Sequence, residues 1–371
     1  MIIGIDGRRP SEFKTGISYY LENLLRELTK LDSENTYKLL GLKTGLKSKN
    51  LKVYSLSRRK GRLIGFLWKT IGWPRFEKLI KGCDLGFFPN FVIPPTKITK
   101  KILTIPDLAF VYYPGFIEQK NLKYLERFVK GSAEKASKII TISDHTKNDI
   151  IKHFGIPPLK IITTHLAAAP DFKPVEKEKS KKLVTQKYKI KKDYLLFVGT
   201  LEPRKNIETL IKAFSRLMLI RKKYQLVICG SRGWYWEGIF KLIRKNYLTG
   251  DVKVLGYVSQ KDLPLLYSAA DLFAFPSFYE GFGLPVLEAM SCGTPVVCSN
   301  TSSLPEIAGE AAIYFNPFDT SELAARISEV LTNEPLRQKL IAAGLEQAKK
   351  FSWEKTAQKT LAVIKRVYSG D

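Results

Sequence analysis

The sequence predicts an α/β protein made of two Rossmann-like, doubly wound domains in tandem, and three observations carry that prediction. At 371 residues the chain is longer than one hydrophobic core usually organises, which favours two domains of about 150–200 residues. Short continuous apolar runs alternate with helix-like segments, as they do where parallel strands are buried on both faces. Run after run ends in a small or turn-forming group, the pattern of strands whose carboxyl ends open onto a ligand crevice. A composition of 44% hydrophobic and 26% charged residues agrees, since it provides apolar material for two sheets and leaves no segment polar enough to be disordered.

Strands are expected in the first half at residues 2–5, 37–40, 85–88, 101–105, 138–142 and 160–164, which defines an N-terminal domain over 1–172. Residues 171–192 are rich in Lys and Glu, with Pro174 inside and Pro170 just ahead, and read as a linker with one exposed helix. The second domain, 173–352, has apolar runs at 194–198, 225–229, 252–255, 272–275, 295–298 and 311–315. Four of these end in Gly199-Thr200, Gly230-Ser231, Gly256-Tyr257 and Pro276-Ser277. Residues 353–371 carry an amphipathic helix over 353–368 that is expected to pack back on the first domain. No short-period repeat is present.

The four cysteines, Cys83, Cys229, Cys292 and Cys298, sit singly among apolar residues with no CxxC pair, which reads as buried thiols in a reducing compartment. The N-terminus starts as a strand and lacks the regions of a signal peptide, so a cytoplasmic location is expected. No run reaches the ~20 apolar residues of a membrane span, and any membrane association is expected to be peripheral. His145, His153 and His165 have no spacing suited to a metal or a triad and read as structural. The formal charge of +26 calls for an anionic partner: a nucleotide, a phosphorylated lipid, a membrane surface or a nucleic acid. Residues 56–81 interleave Arg58, Arg59, Lys60, Arg62, Lys69, Arg75, Lys78 and Lys81 with Leu63, Ile64, Phe66, Leu67, Trp68, Ile71, Trp73 and Phe76. That pattern suits a helix on the inner face of an anionic membrane, and it equally suits a core-facing stripe backed by a solvated basic face. Stacking of single-stranded nucleic acid is disfavoured, because no nucleic-acid fold signature accompanies it.

The stretch Phe275-Pro276-Ser277-Phe278-Tyr279-Glu280-Gly281-Phe282-Gly283-Leu284-Pro285-Val286-Leu287-Glu288 joins a buried strand to a helix. Pro285 suits the first helical turn, and the glycines let bare backbone approach an anion. Glu280 in the loop and Glu288 near the first turn are expected to project into one cleft. A carboxylate beside a diphosphate repels it, so the two are expected to accept hydrogen bonds from hydroxyls, Glu280 from the sugar and Glu288 from the ribose. Arg204 and Lys205, after the strand at 194–198, are expected to neutralise a departing nucleoside diphosphate. The chain has no DxD-type metal motif.

On these residues the chain resembles the retaining family 4 glycosyltransferases of the GT-B fold, in which two Rossmann-like domains face a central cleft. The E-x7-E pair Glu280/Glu288, the segment Gly199-Thr200-Leu201-Glu202-Pro203-Arg204-Lys205-Asn206, the turn Gly256-Tyr257-Val258, and Ile3-Gly4-Ile5-Asp6 with Thr15-Gly16-Ile17 occur in the family's order, over nearly the whole chain. The resemblance implies that Glu280, Arg204 and Lys205 are catalytic. It places Gly199, Thr200, Gly230, Ser231, Tyr257, Val258, Ser277, Gly281, Phe282, Gly283, Leu284 and Glu288 around the donor, with Tyr257 and Val258 bordering the base. Gly16 and Asp107 fall on the acceptor side. It further implies retention at the anomeric carbon and no metal or other cofactor. The co-substrate is a nucleotide-diphosphate sugar and the acceptor a glycan or lipid-linked glycan. Thr200, where many relatives have arginine, points to mannosyl transfer from GDP-mannose. In one place the chain departs from its relatives: they carry His-Asp after the strand at 101–105, and this chain has Pro106-Asp107. The rival readings are a nucleotide-sugar epimerase or phosphorylase on a similar frame, and a basic membrane- or nucleic-acid-binding protein without transferase activity.

Overall fold

A computed structural model describes residues 1–8, 16–41, 45–234 and 236–370, with the backbone alone for Arg58. The chain forms two compact units. The first comprises Met1–Tyr112, Gln119–Leu166 and Ser352–Asp371, and the second Tyr113–Glu118 and Ala167–Phe351. The chain thus passes into the second unit after Leu166, ahead of the sequence boundary at 172.

Among its described residues the first unit has seven strands: β1 (Ile2–Asp6), β2 (Thr36–Leu40), β3 (Leu51–Tyr54), β4 (Leu85–Phe88), β5 (Lys101–Thr104), β6 (Lys138–Thr141) and β7 (Ile161–Thr163). They form one sheet in the order β3-β2-β1-β4-β5-β6-β7, and every pairing is parallel. Six of these fall where apolar runs predict them. The seventh, β3, escapes a reading by apolar runs because it is an edge strand: Lys52 and Val53 are exposed, and among the described residues it pairs with β2 alone. Helix Gly16–Leu31 buries Tyr20, Leu21, Leu24, Leu25 and Leu28 along one stripe, the period expected of a helix covering a sheet. The closing helix, Trp353–Ser369, belongs to this unit and packs on Gly16–Leu31. Ser352 caps it by accepting from the Lys355 N–H. Trp353 meets Tyr19 edge to face at 5.9 Å, and the Thr356 hydroxyl donates to the His165 carbonyl at 2.5 Å.

The second unit has six strands: β8 (Asp193–Val198), β9 (Tyr224–Cys229), β10 (Val252–Gly256), β11 (Leu272–Phe275), β12 (Val296–Ser299) and β13 (Ala312–Phe315). All pair in parallel in the order β10-β9-β8-β11-β12-β13. Leu195, Leu196, Phe197, Leu226, Val227, Phe273 and Val297 have no exposed surface. That is the physical content of the apolar runs: strands covered on both faces need apolar side chains in both directions. The segment expected as linker and exposed helix is docked more firmly than charge alone suggests. Helix Lys177–Tyr188 buries Ser180 and Val184 and packs on helix Leu263–Ala269, and Lys177 pairs with Asp271 at 2.7 Å. All four cysteines are free thiols, three of them buried. Among the described residues no helix is long and apolar enough to cross a membrane.

Candidate active site

The strand order of the second unit runs outward from β8 through β9 to β10, then resumes on the other side of β8 with β11. A doubly wound sheet opens its ligand crevice at the carboxyl ends of the two strands flanking such a reversal. The loops leaving β8 and β11 here are the ones that carry Arg204, Lys205 and Glu280.

Behind β8, Pro203–Lys205 forms a single 3-10 turn, and Asn206 takes a left-handed conformation that starts helix Ile207–Arg216. The Asn206 amide ties this turn down by donating to the carbonyls of Pro276 at 3.0 Å and Pro317 at 2.8 Å. Lys205 is thereby held buried, and its Nζ donates to Glu280 Oε1 at 2.6 Å. Arg204 donates to Glu280 Oε2 at 3.1 Å, to the Tyr279 carbonyl at 2.7 Å and to Glu202 Oε1 at 2.8 Å. Two cations and two carboxylates therefore interlock, and their formal charges cancel. The two cations that the sequence assigns to offsetting a diphosphate are thus held in place by Glu202 and Glu280.

The loop that carries Glu280 is fixed by a run that sequence reasoning passed over. Ser302 accepts from the Glu280 N–H at 2.9 Å, Ser303 donates to the Glu280 carbonyl at 2.9 Å, and Thr301 donates to the Phe278 carbonyl at 3.0 Å. The only signal in the sequence was a cluster of hydroxyl residues just past a strand. Burial pushes the Glu280 carboxyl up, yet Lys205 and Arg204 outweigh it and hold the group at about 2, so Glu280 is ionised at neutral pH.

Glu288 has a different environment. Helix Leu284–Ser291 starts from Gly283, which is left-handed at φ 92°, and a Cβ there would lie 2.6 Å from Leu304. Glu288 is its fifth residue, buried, and its Oε2 accepts from the Tyr267 hydroxyl at 3.1 Å. Burial pushes this carboxyl up to about 8, and the Tyr267 bond offsets that only in part. Glu280 gathers the cations and Glu288 a tyrosine, so the two carboxyls expected in one cleft differ in charge state at neutral pH.

The turns after β8, β9 and β10 are laced together through glycine backbone. Gly199 N–H donates to Cys229, Gly230 N–H to Gly256 and Leu201 N–H to Ser231, at 2.9, 2.8 and 3.0 Å. A Cβ on Gly230 would lie 1.7 Å from the Gly199 carbonyl oxygen, so this glycine is required by the protein's own backbone. Thr200 and Tyr257 are exposed at these strand ends, Ser231 is half-buried and Val258 is buried. Ser277, Gly281 and Phe282 are buried in the Glu280 loop, and Leu284 is half-buried. Residues 113–118, which join this unit from the first half of the chain, stack on the same loop: Tyr113 and Phe116 lie 6.1 and 5.4 Å from the Phe278 ring.

In the first unit, Gly16 is exposed at the start of its helix, and a Cβ there would meet nothing. Asp107 accepts from the Ala109 N–H at 3.0 Å, just ahead of helix Ala109–Tyr112, and the Pro106 carbonyl accepts from the Thr146 hydroxyl at 3.3 Å.

The family model of glycosyl transferases group 1 matches residues 178–347. The chain is 40% identical over 279 residues to O-antigen chain mannosyltransferase B of Escherichia coli, which covers 75% of this chain and 73% of that protein. It is 34% identical over 230 residues to the serotype-specific mannosyltransferase WbdA of Escherichia coli, covering 60% of this chain and only 28% of that longer protein. Among solved structures it is similar in fold to sucrose-phosphate synthase from Thermosynechococcus elongatus, with a TM-score of 0.77, 21% identity and full coverage of both chains.

Proposed function

From the premise that the chain belongs to the group 1 glycosyl transferases and has the GT-B fold, we propose that it transfers mannose from GDP-mannose to a glycan or lipid-linked glycan during O-antigen-type polysaccharide synthesis. The observation that carries the chemistry is the buried Lys205–Glu280–Arg204 cluster at the carboxyl ends of β8 and β11. The mannosyl assignment is supported by the relatives named as mannosyltransferases and by Thr200.

In this reading the second unit binds the donor and the first the acceptor. The bond from the anomeric carbon to the diphosphate oxygen breaks as the acceptor oxygen bonds to the same face of that carbon. The acceptor proton passes to the departing phosphate, and configuration is retained. Lys205 and Arg204 stabilise charge on the leaving oxygen. An ammonium has three N–H donors, so the bond to Glu280 presets the position of Lys205 without exhausting it, and Arg204 is fixed beside it by Glu280, Glu202 and the Tyr279 carbonyl. Preset donors in a buried site act more strongly than solvated ones, because no reorganisation is needed as charge develops. Glu280 accepts from a sugar hydroxyl and Glu288 from the ribose. With two side-chain cations at the leaving group, a divalent metal is not required.

The test is an assay with GDP-mannose, UDP-glucose and ADP-glucose against a lipid-linked glycan in the presence of EDTA, with the product's anomeric configuration read by NMR. The expected result is α-linked mannose from GDP-mannose alone. Preference for another donor would remove the mannosyl assignment, and activity restored only by magnesium or manganese would remove the metal-free mechanism.

A further inference from the structure

The basic segment of the first unit has two faces, one packed on the fold and the other largely exposed. On the inner side of helix Arg58–Thr70, Ile64 is buried. Trp68 lies under the Arg8 guanidinium at 3.8 Å and donates its Nε1–H to the Pro74 carbonyl at 2.5 Å. These contacts fix the rotation of the helix about its axis. Its outer side carries Leu63 and Phe66, 57% and 63% exposed, and just past its end lie Ile71 and Trp73, 66% and 58% exposed. Arg59 and Arg62 are exposed as well, and with Leu63 and Phe66 they fall within an arc of about 100° on the helical wheel, while Lys69 at its edge lies 4.3 Å over the Tyr124 ring. From residue 35 to 76 the chain has eleven Lys and Arg and no Asp or Glu.

We infer that this face docks on a bilayer surface containing anionic phospholipid, with Leu63 and Phe66 entering the headgroup boundary and Arg59 and Arg62 pairing with lipid phosphates. Large apolar side chains left this exposed together mark an interaction surface, and a border of one charge sign selects an anionic partner. A nucleic acid would engage the basic groups and the aromatic ring of Phe66 but gives the aliphatic Leu63 nothing to bury against. The inference does not depend on the donor: vesicle binding would survive failure of the mannosyl assignment.

The experiment is co-flotation of the full chain with vesicles of phosphatidylcholine alone and of phosphatidylcholine and phosphatidylglycerol in equal parts. The wild type should float with the mixed vesicles only, and less at high salt. Leu63→Gln/Phe66→Gln should weaken partitioning by about tenfold or more, since each side chain loses its apolar transfer. Arg59→Gln/Arg62→Gln should weaken it roughly twenty-five-fold, about fivefold per charge near an anionic surface. Both variants should melt with the wild type because the substituted side chains are exposed. The proposal is overturned if the wild type fails to float with the mixed vesicles, if it binds both vesicle types equally, or if Leu63→Gln/Phe66→Gln floats unchanged. Displacement of the vesicles by single-stranded oligonucleotide, with flotation indifferent to Leu63→Gln/Phe66→Gln, would assign the basic face to nucleic acid instead.

Discussion

Lys205 donates to Glu280 across a gap of 2.6 Å that joins the loop after β8 to the loop after β11, and both residues are buried. The pair links the two strands between which the sheet reverses its order, so the proposed chemistry rests on the part of the unit that topology leaves open. A buried charge pair does not by itself argue for stability, because two desolvated ions recover little net free energy. Its persistence at this place, with Arg204 and Glu202 completing a balanced set, fits a site that holds cations in position for an incoming anion.

Lys205→Ala should slow transfer by about tenfold or more, a barrier change of at least ~1.4 kcal/mol, because charge on the leaving diphosphate would lose its buried donor. Arg204→Ala should have the same direction and a smaller size. Steady-state kinetics with a transferable donor checks both, and an unchanged kcat/KM for Lys205→Ala would remove the leaving-group role.

The two carboxyls should separate in kinetics. Glu280→Ala should lower kcat more than it weakens donor binding, whereas Glu288→Ala should mainly weaken donor binding. Equal and negligible effects would undo the division into sugar and ribose contacts.

Glu288 should also govern how stability varies with pH. Its folded value of about 8 lies above the ordinary 4.5, so between those values the folded carboxyl keeps a proton that the unfolded one releases. Its contribution is complete below about pH 4.5 and is lost as pH rises through about 8. Glu288→Gln, a permanently neutral isostere, should flatten that decline and be the more stable protein at pH 8.5–9, about half to one unit above the folded value. Glu280 has the opposite sign. Its value, lowered to about 2, makes its contribution present above about pH 4.5 and lost as pH falls toward 2. Urea titrations across this range decide the matter, and a parallel pH profile for wild type and Glu288→Gln would show that Glu288 does not titrate in this window.

Gly230→Ala should be severely destabilising and Gly16→Ala neutral to folding, although both glycines belong to the same family pattern. The Cβ of the first would overlap the Gly199 carbonyl oxygen at 1.7 Å, and that of the second meets nothing. A mutation that forces two backbones apart costs roughly 3 kcal/mol or more. Equal melting temperatures for the two variants would refute the backbone account, and an effect of Gly16→Ala on activity alone would mark close approach by substrate.

Most of the frame was legible because buried parallel strands must be apolar on both faces. β11 falls on residues 272–275, and β8 differs from its expected span only by Asp193. Edge strand β3 was not legible, since a strand half in water carries no apolar run. The transfer of residues 113–118 to the second unit was equally hidden: aromatic stacking onto Phe278 has no local period. Within the site, the residues Arg204, Lys205, Glu280 and Glu288 could be named from motif and turn chemistry, but not the charge balance among them. The balance comes from Glu202, beside Arg204 in the same loop, while the groups that set the two carboxyls, Tyr267 on helix Leu263–Ala269 and the Thr301–Ser303 hydroxyls, share no spacing with them in the sequence.

Pro106 should leave the enzyme active, with its contacts to substrate taken over by neighbouring groups. The family resemblance implies an imidazole against the transferred sugar at this position, and proline has neither a ring donor nor a backbone N–H to replace it. The rest of the machinery keeps the groups its chemistry needs, with Lys205 and Arg204 on Glu280 and Glu288 on Tyr267. Asp107 already accepts from the Ala109 N–H, so Asp107→Ala should cost about 1 kcal/mol of stability as well as any role toward the acceptor. Comparing kcat/KM for Asp107→Ala with its melting temperature separates these effects, because loss of this bond alone lowers the melting temperature and leaves kcat/KM unchanged at low temperature. Pro106→His is the decisive partner. If the site has compensated, the new imidazole finds its place taken and activity changes less than about tenfold. A gain of about a hundredfold or more, equivalent to roughly 2.7 kcal/mol of barrier, alongside an unaffected Asp107→Ala, would show instead that the natural proline impairs the enzyme.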